Sequence, residues 1–562
     1  LIKGKGGDIM ASTFFGLGIA KSGLFVSQRA LNVVSHNVAN ANTPGYSRQR
    51  LDSRATSPEF LPAVAGALGT GVDSEAVKQI RDAFLDFKVR TEMTTQGEWE
   101  FKKELLGTIE TIFNEPSDSG LRSIMDMFFQ SVHELNKNPE SLTARALVRQ
   151  RAVALSQNIG GMYGNLVKLQ KDIDFQLQTV TSQVNGYAEQ IRDLNRVVYL
   201  AELDGSKAND IRDQRNLVID QLSKLVNVDY FEDNQGRFSV LISGKPIVSH
   251  YNIDKITLTE RLNKKHPDDA FKLYDAGWES GSTFRVTSGE MKAIFDMRDG
   301  IDAESKGIPY YVEKLNEFTD RFFTEVNRIH MGGYDLDGKP GLMMFTKNNM
   351  SSAAYEQELK TTGLDGKPPI DLTSDVLKGT STYFTKEQNN NVIAENIKLI
   401  LLNNPNYKDK SVKFLSDGRY YLVDRIPANQ MTVSSDIDAD LDKIAASATL
   451  QGLPGDGANA LLLANMRKNV NMFTWGSPDD YVKSLVANLG VDSAEAIRLE
   501  KNQKAVIVEL ENKRQAIMGV SLDEEMADMI RYQHSYSANA RVMTTMDELL
   551  DIVVNRLGLV GR

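Results

Sequence analysis

Two apolar stripes of one period stand at opposite ends of this chain, and they constrain its fold more than any other feature. The first runs through Leu17, Leu24, Leu31 and Val38, with Ala20, Ser27, Val34 and Ala41 at the companion heptad positions. The second carries Leu522, Met529, Tyr536, Met543, Leu550 and Leu557. Its companion positions hold Tyr532, Met546, Val553 and Val560, with Glu525 and Asn539 as polar exceptions. A 3.5-residue spacing predicts two long helices, each with a narrow seam that needs a partner. Single amphipathic helices are marginal in water. The two ends are therefore expected to pair, and to bury further apolar lines such as Ile19, Val26 and Val33 against neighbouring subunits. Both ends should be loose in a free monomer and ordered in an assembly.

The first helix ends in a run of amides, "VSHNVANANTPGYSRQ", Val34 to Gln49. Thr43 precedes a proline and is pushed out of the helical region, and Pro44-Gly45 fits the middle of a type II turn. A buried amide specifies register and partner at a cost in stability. Asn37, Asn40 and Asn42 are accordingly expected where one subunit meets the next, with Tyr46 beside them.

Between the ends, 562 residues exceed what one core supports, so three or four domains are expected. Cysteine is absent, which removes disulfides, zinc–thiolate sites and thiol nucleophiles. A net charge of −10 argues against bulk binding to nucleic acid or anionic membranes. No run approaches the roughly 18 apolar residues of a membrane span. The opening segment imitates a signal peptide, but Gly16, Gly18 and Lys21 break its apolar run. The natural start is expected at Met10, with Leu1 to Ile9 as leader.

Helical patterning returns at about 80–113, 121–136 and 142–203, the last with Leu166, Leu169, Ile173, Leu177, Val180, Val184, Ile191 and Leu194 in step. Residues 46–80 look like an extended connection. Alternation around Asn234-Gln235-Gly236 predicts a hairpin, and further short strands run to about Val286. Helix resumes with Leu315, Phe318, Phe322, Val326 and Ile329 on one face, and again from about 440. The expected fold is multidomain α + β. A discontinuous terminal domain (10–50 and 520–562) pairs the two coiled-coil helices. A helical shell takes 51–225, 289–349 and 445–519, with β-rich outer domains inserted at 226–288 and 350–444.

Motifs for chemistry are sparse. The histidines at 36, 133, 250, 266, 330 and 534 never share i, i+4 spacing. "DLDGKPG", Asp335 to Gly341, lacks the third spaced ligand and closing glutamate of a calcium loop, so a tight turn is expected. Phosphate-loop, nucleophile-elbow and zincin patterns are missing. "RDQR" and "MRDGID" are expected to form salt bridges along their helices. No catalytic, cofactor-binding or metal-ligating residue is assigned. The expected assembly interface is Leu17, Leu24, Leu31, Val34, Asn37, Val38, Asn40, Asn42 and Tyr46 at one end. At the other it is Met529, Tyr532, Tyr536, Asn539, Met543, Met546, Leu550, Val553 and Leu557.

"SHNVANANTPGYSRQ" resembles the amino-terminal motif of the bacterial flagellar axial proteins of rod, hook and hook–filament junction, through Ser35, Asn37, Ala39, Asn40, Thr43, Gly45 and Tyr46. "EEMADMIRYQHSYSANARVMTTMDELLDIVVN", Glu524 to Asn555, is similar to the same family's carboxy-terminal helix. Inside, "NPESLTARALVRQRAVALSQ", "ANDIRDQRNLVIDQLSKLVNV", "VNRIHMGGYDLDGKPG" and "IDADLDKIAASATLQGLPGDGANALLLANM" resemble the junction members. The likeness spans most of 10–562 and is weakest at about 350–430.

The resemblance implies a structural protein without enzymatic activity or cofactor. It implies export through the flagellar type III apparatus without a cleaved signal peptide, and a cytosolic chaperone holding the carboxy-terminal helix beforehand. Partners would be the hook protein, a second junction protein and copies of itself, outside the cell. It also implies an inner tube of paired terminal helices. Two alternatives stay open: another axial member, hook or distal rod, or an axial scaffold displaying a hydrolase or glycan-binding module in 350–430.

Overall fold

The computed structural model describes residues 15–60, 67–114, 117, 120–302, 304–371 and 410–552. The leader, Val553, Leu557 and 372–409 of the expected outer domain lie outside them.

A 60-residue helix, α4 (Leu142–Ala201), is the spine. Ser141 caps its first turn by accepting the Ala144 N–H. Leu166, Ile173, Leu177, Val180, Val184 and Ile191 form its buried stripe. Before it come α1 (Phe15–Ala39), α2 (Ala83–Phe113) and α3 (Leu121–Lys137). After it come α5 (Asn209–Leu225), α6 (Glu290–Asp299), α7 (Ile308–Met331) and α8 (Ser352–Thr362). The short α9 (Ser435–Ala439) and α10 (Ala458–Asn465) lead to two long final helices, α11 (Pro478–Met518) and α12 (Leu522–Asp551). Helices α3, α5, α6 and α7 pack on α4, and α11 lies along α2. Aromatic rings close the far end of this body, where Phe128 and Phe129 meet Phe322 edge-on and Phe318 stacks on Phe473 and Tyr481.

Strands β1 (Gln49–Ala55) and β4 (Val72–Gln79) pair antiparallel, with the small β2 (Glu59–Phe60) and β3 (Ala67–Leu68) paired beyond them. The segment expected as a plain extended connection is thus a hairpin packed against α1. Pairing satisfies backbone groups that an open connection would leave to water.

Strands β5 (Val228–Glu232), β6 (Phe238–Ile242), β7 (Lys245–Ser249) and β8 (Asn252–Ile253) form an antiparallel sheet in sequence order. The expected hairpin turns at Gly236, φ 75°. A ribbon of β9 (Ile256–Glu260) and β10 (Tyr274–Trp278) follows. Val240, Ile242, Ile247 and Val248 share one continuous apolar core with α4 and α5. The β-rich segment therefore does not bury a core of its own, because its inner face needs the spine to cover it.

The boundaries expected at 350 and 444 also miss the packing. β11 (Phe345–Lys347) pairs with β15 (Met431–Val433), and residues 428–443 lie against α4. The buried Arg145 guanidinium donates to the carbonyls of Ile444 at 2.6 Å, Leu441 at 3.2 Å and Asp442 at 3.3 Å. Among the described residues of that segment, a three-stranded sheet of β12 (Ile370–Asp371), β14 (Tyr420–Asp424) and β13 (Lys410–Phe414) docks on α7. There Ser411 Oγ donates to Asp320 and Lys413 pairs with it.

Of the salt bridges expected along helices, that of Arg298 with its neighbour Asp299 forms at 2.8 Å, and the arginines of both motifs also join separate elements. Arg212 reaches Glu202 and Glu232, Arg215 reaches Glu232, and Arg298 reaches Asp174. Asp335 closes its tight turn by accepting the Lys339 N–H at 2.7 Å.

Candidate assembly interface

Helices α1 and α12 run antiparallel in one constant register. Gly16 faces Met546, Gly23 faces Asn539, Ser27 Oγ lies 3.0 Å from Ser535 Oγ, and Asn37 Nδ2 donates to Glu525 at 3.0 Å. The α1 seam is Gly16, Ala20, Gly23, Ser27, Ala30, Val34 and Asn37, a groove of small residues. A Cβ at Gly16 would lie 2.8 Å from Met546 Cε. Small side chains let the helix axes approach, and the large α12 side chains fill the hollows.

This corrects half of the expected seam. Val34 and the Ala20–Ser27 line are buried, but Leu17, Leu24, Leu31 and Val38 are only half-buried, one position off the contact. On α12 the half-buried residues include Met529, Tyr532, Tyr536, Asn539, Met543, Met546 and Leu550, spaced alternately three and four residues apart on the α1 side. The glycines were the missed signal. They recur at heptad spacing, yet read as interruptions when apolar size alone is counted.

Among the amides, Asn37 is corrected too. Asn37, 1% exposed, makes all its bonds inside the chain. Its Nδ2 donates to Gln49 O at 2.9 Å and to Glu525, while its Oδ1 accepts from Gln49 N at 3.0 Å and from Tyr46 Oη at 2.7 Å. Asn40 donates to His36 O at 3.0 Å and accepts from Thr43 Oγ1 at 3.2 Å, closing the helix end. Asn42 is exposed. Asn37 therefore fastens the chain to itself, because four-fold satisfaction leaves it nothing to offer a neighbour, while Asn40 and Tyr46 are half-buried. The turn has the expected form, with Gly45 at φ 78°.

Glu525 is the one buried residue of α12 among those described. Besides Asn37 it accepts from Arg48 Nε at 2.6 Å, and Arg48 also reaches Glu524 at 2.7 Å. Burial works against the Arg48 charge, and the two carboxylates outweigh it, holding the guanidinium protonated. The Arg48 backbone accepts the Ile80 N–H and donates to Met518 O, each at 2.8 Å, which ties both roots of the pair together. From there Ser47 donates its N–H at 2.8 Å and its hydroxyl at 2.6 Å to Asp213 on α5, which also receives Arg81 at 3.0 Å. Burial raises the Asp213 pKa, opposed by the Ser47 hydrogen bonds and Arg81. Tyr46 is pushed up by burial and by Asp210, Asp213 and Glu525, and so stays a hydrogen-bond donor.

Away from the seam, Phe25 on α1 and Leu522, Met526, Ile530, Val542 and Leu549 on α12 face solvent. These exposed lines are what a neighbouring subunit has available to cover. Among the described residues no cluster of three or more His, Asp or Glu is placed to hold a metal, and no helix is long and apolar enough to cross a membrane.

Comparison with known proteins matches both ends and the middle of the chain. Residues 17–46 fit the flagella basal body rod protein family, and 514–557 fit the carboxy-terminal family of flagellar basal body rod FlgEFG proteins. Residues 106–345 fit the helical domain of flagellar hook-associated protein FlgK. A paired terminal coiled coil with rod-type ends, carried on a helical body, defines an axial protein of the bacterial flagellum. Flagellar hook-associated protein 1 of Bacillus subtilis is 29% identical over 98% of this chain and 100% of its own length. The Escherichia coli protein of that name is 24% identical over 95% and 98%. The flagellar hook junction protein FlgK of Burkholderia pseudomallei superposes with a TM-score of 0.56 at 14% identity, covering 77% of this chain and all of that one. Over nearly its whole length the chain is thus similar to flagellar hook-associated protein 1, and its ends and helical middle match flagellar protein families.

Proposed function

We infer that this chain is the structural adaptor at the hook–filament junction and is needed for filament assembly. The observation that carries the reading is the terminal pair. It is closed on itself by a small-residue seam, fastened to the body at one root, and bears outward apolar residues on both helices. Such a pair is suited to stacking in a tube, where each copy covers the lines its neighbour leaves open. The body then serves as the shell around it. We assign no catalytic step.

The finer reading follows from the same pair. Its outward lines would meet copies of the chain within the junction, the hook protein on one side and the second junction protein on the other. Before export, a cytosolic chaperone would cover the α12 line. The chain would leave the cell through the type III apparatus without a cleaved signal peptide and fold at its extracellular destination. Within the chain, the terminal unit is the α1–α12 pair with the β1–β4 hairpin, and the remaining elements form the body.

Deletion of the gene tests the reading. The expected phenotype is finished hooks, filament subunits lost to the medium and no filament, reversed by supplying the full chain. Normal filaments on the deleted strain would refute it.

A further inference from the structure

We propose that Glu525, held by Asn37 and Arg48, is the residue that selects the register of α12 on α1. The seam alone selects it only in part. Its hollows recur every heptad, so sliding α12 by seven residues toward the root sets Met546 against Gly23 and Asn539 against Ala30. The groove is filled again, at the cost of one Cβ beneath Asn539 and of the Ser27–Ser535 contact. The covalent connection does not forbid this slide either. Unwinding Leu522 to Asp528 simply lengthens the link from α11, and the slipped state sets the Glu525 carboxylate free to be solvated.

The polar contact at the root has no equivalent one heptad away. In the slipped register Tyr532 faces Asn37, whose second amide hydrogen then loses its carboxylate acceptor in a buried position. Arg48 loses its bond to Glu525 at the same time. A buried polar contact that is satisfied in one register only is how helical pairs specify alignment. Register matters here because seven residues of helix amount to about 10 Å. The outward stripe of α12 would be displaced by that length relative to the body. Glu525 is thus a positioning residue: it touches no neighbour, yet it fixes where the surface offered to neighbours stands.

The absence of cysteine makes disulfide trapping in the purified full chain a clean test. Ser27→Cys with Ser535→Cys traps the observed register, where the two hydroxyls are 3.0 Å apart. Ser27→Cys with Val542→Cys traps the register slipped by seven residues. With Glu525 in place, the first pair should form in at least tenfold excess over the second. Glu525→Leu should lower that ratio at least tenfold. Glu525→Gln should lower it less than Glu525→Leu, since its one amide oxygen can still accept from Arg48 or Asn37 while its NH2 cannot serve the other donor. The proposal is overturned if Glu525→Leu leaves the ratio unchanged, or if the Leu and Gln variants depress both products alike. Equal yields from the two pairs in the unaltered background would overturn it as well. The measurement needs no flagellum, so it can fail while the junction role stands.

Discussion

Gly23 of α1 lies so close beneath Asn539 of α12 that a Cβ at position 23 would sit 2.8 Å from both amide heteroatoms. Helix propensity and packing therefore make opposite demands at this residue. Propensity alone predicts that Gly23→Ala stabilises α1 by about 1 kcal/mol. Contact with Asn539 predicts that it forces the helices apart, at a cost of about 1–3 kcal/mol. We expect packing to win. Amide exchange across 15–39 and 522–551 should accelerate while the unfolding transition of the body stays in place. Slower exchange in the Ala variant would show that the glycine is not there to seat Asn539.

Asp220 on α5 is shared by two arginines from different helices. Arg90 Nε donates to it at 2.6 Å and Arg514 at 2.8 Å, with all three side chains largely buried. Arg90 also lies over the Tyr230 ring, 4.4 Å from its centroid. Asp220→Ala leaves the Arg90 guanidinium without its carboxylate, while Arg514 keeps Glu511, and losing one partner of a buried pair costs about 3–5 kcal/mol. Urea denaturation should report a loss of that order. A loss below about 1 kcal/mol would mean that water or Asp86 replaces the missing carboxylate.

Much of the architecture is legible in the residues because its elements are long and strongly periodic. The α4 stripe from Leu166 to Ile191 and the α7 face from Leu315 to Ile329 both lie buried in the core. Capping residues such as Ser141 also mark their helix starts. What hides from a sequence is partnership. Nothing local says that Val240 and Ile247 lean on α4, or that Arg145 gathers carbonyls from residues almost three hundred positions away. The seam of α1 fails for a related reason. Leu17, Leu24 and Leu31 carry more apolar area than Gly16, Gly23 and Ala30, but close packing of two helices selects absence of side chain. Asn37 shows the converse. Its polarity marks it as special, and only the surrounding Gln49, Tyr46 and Glu525 reveal that it serves the chain's own fold.

His330 should make stability depend on pH from about 6.5 downward. It is buried between α7 and the segment around Ala445, with Nε2 accepting the Ala445 N–H at 2.9 Å and Nδ1 donating to Leu342 O at 2.5 Å. Burial lowers its pKa to about 4, the Leu342 carbonyl opposing and Arg145 assisting. The unfolded chain, with a histidine near about 6.5, binds the proton more readily. The contribution is therefore complete above about pH 6.5 and is lost as pH falls toward about 4, amounting to roughly 3 kcal/mol. Denaturation curves of the parent chain and His330→Gln, compared between pH 7 and 4.5, should converge as the pH drops. Parallel curves would show that His330 takes up its proton without leaving the folded state.

The outward lines of the terminal pair give the decisive test of assembly, because there folding and incorporation respond differently to one substitution. Phe25 is 57% exposed and Ile530 53% exposed in the single chain. A charge at either position is solvated as long as the chain is alone, so Phe25→Asp and Ile530→Asp should shift stability by no more than about 0.5 kcal/mol. Once a neighbour covers these positions, the same carboxylate is desolvated without a partner, which costs far more. Each variant should fold with an unchanged thermal transition, yet be missing from isolated hooks and leave filament subunits in the medium. Quantifying the chain on sheared hook–filament preparations reads this directly. If both variants are incorporated at the parent level, these lines still face solvent in the flagellum, and the neighbour must seat elsewhere, such as the cleft lined by Arg29, Asn32, His36 and Lys207 between α1 and the start of α5.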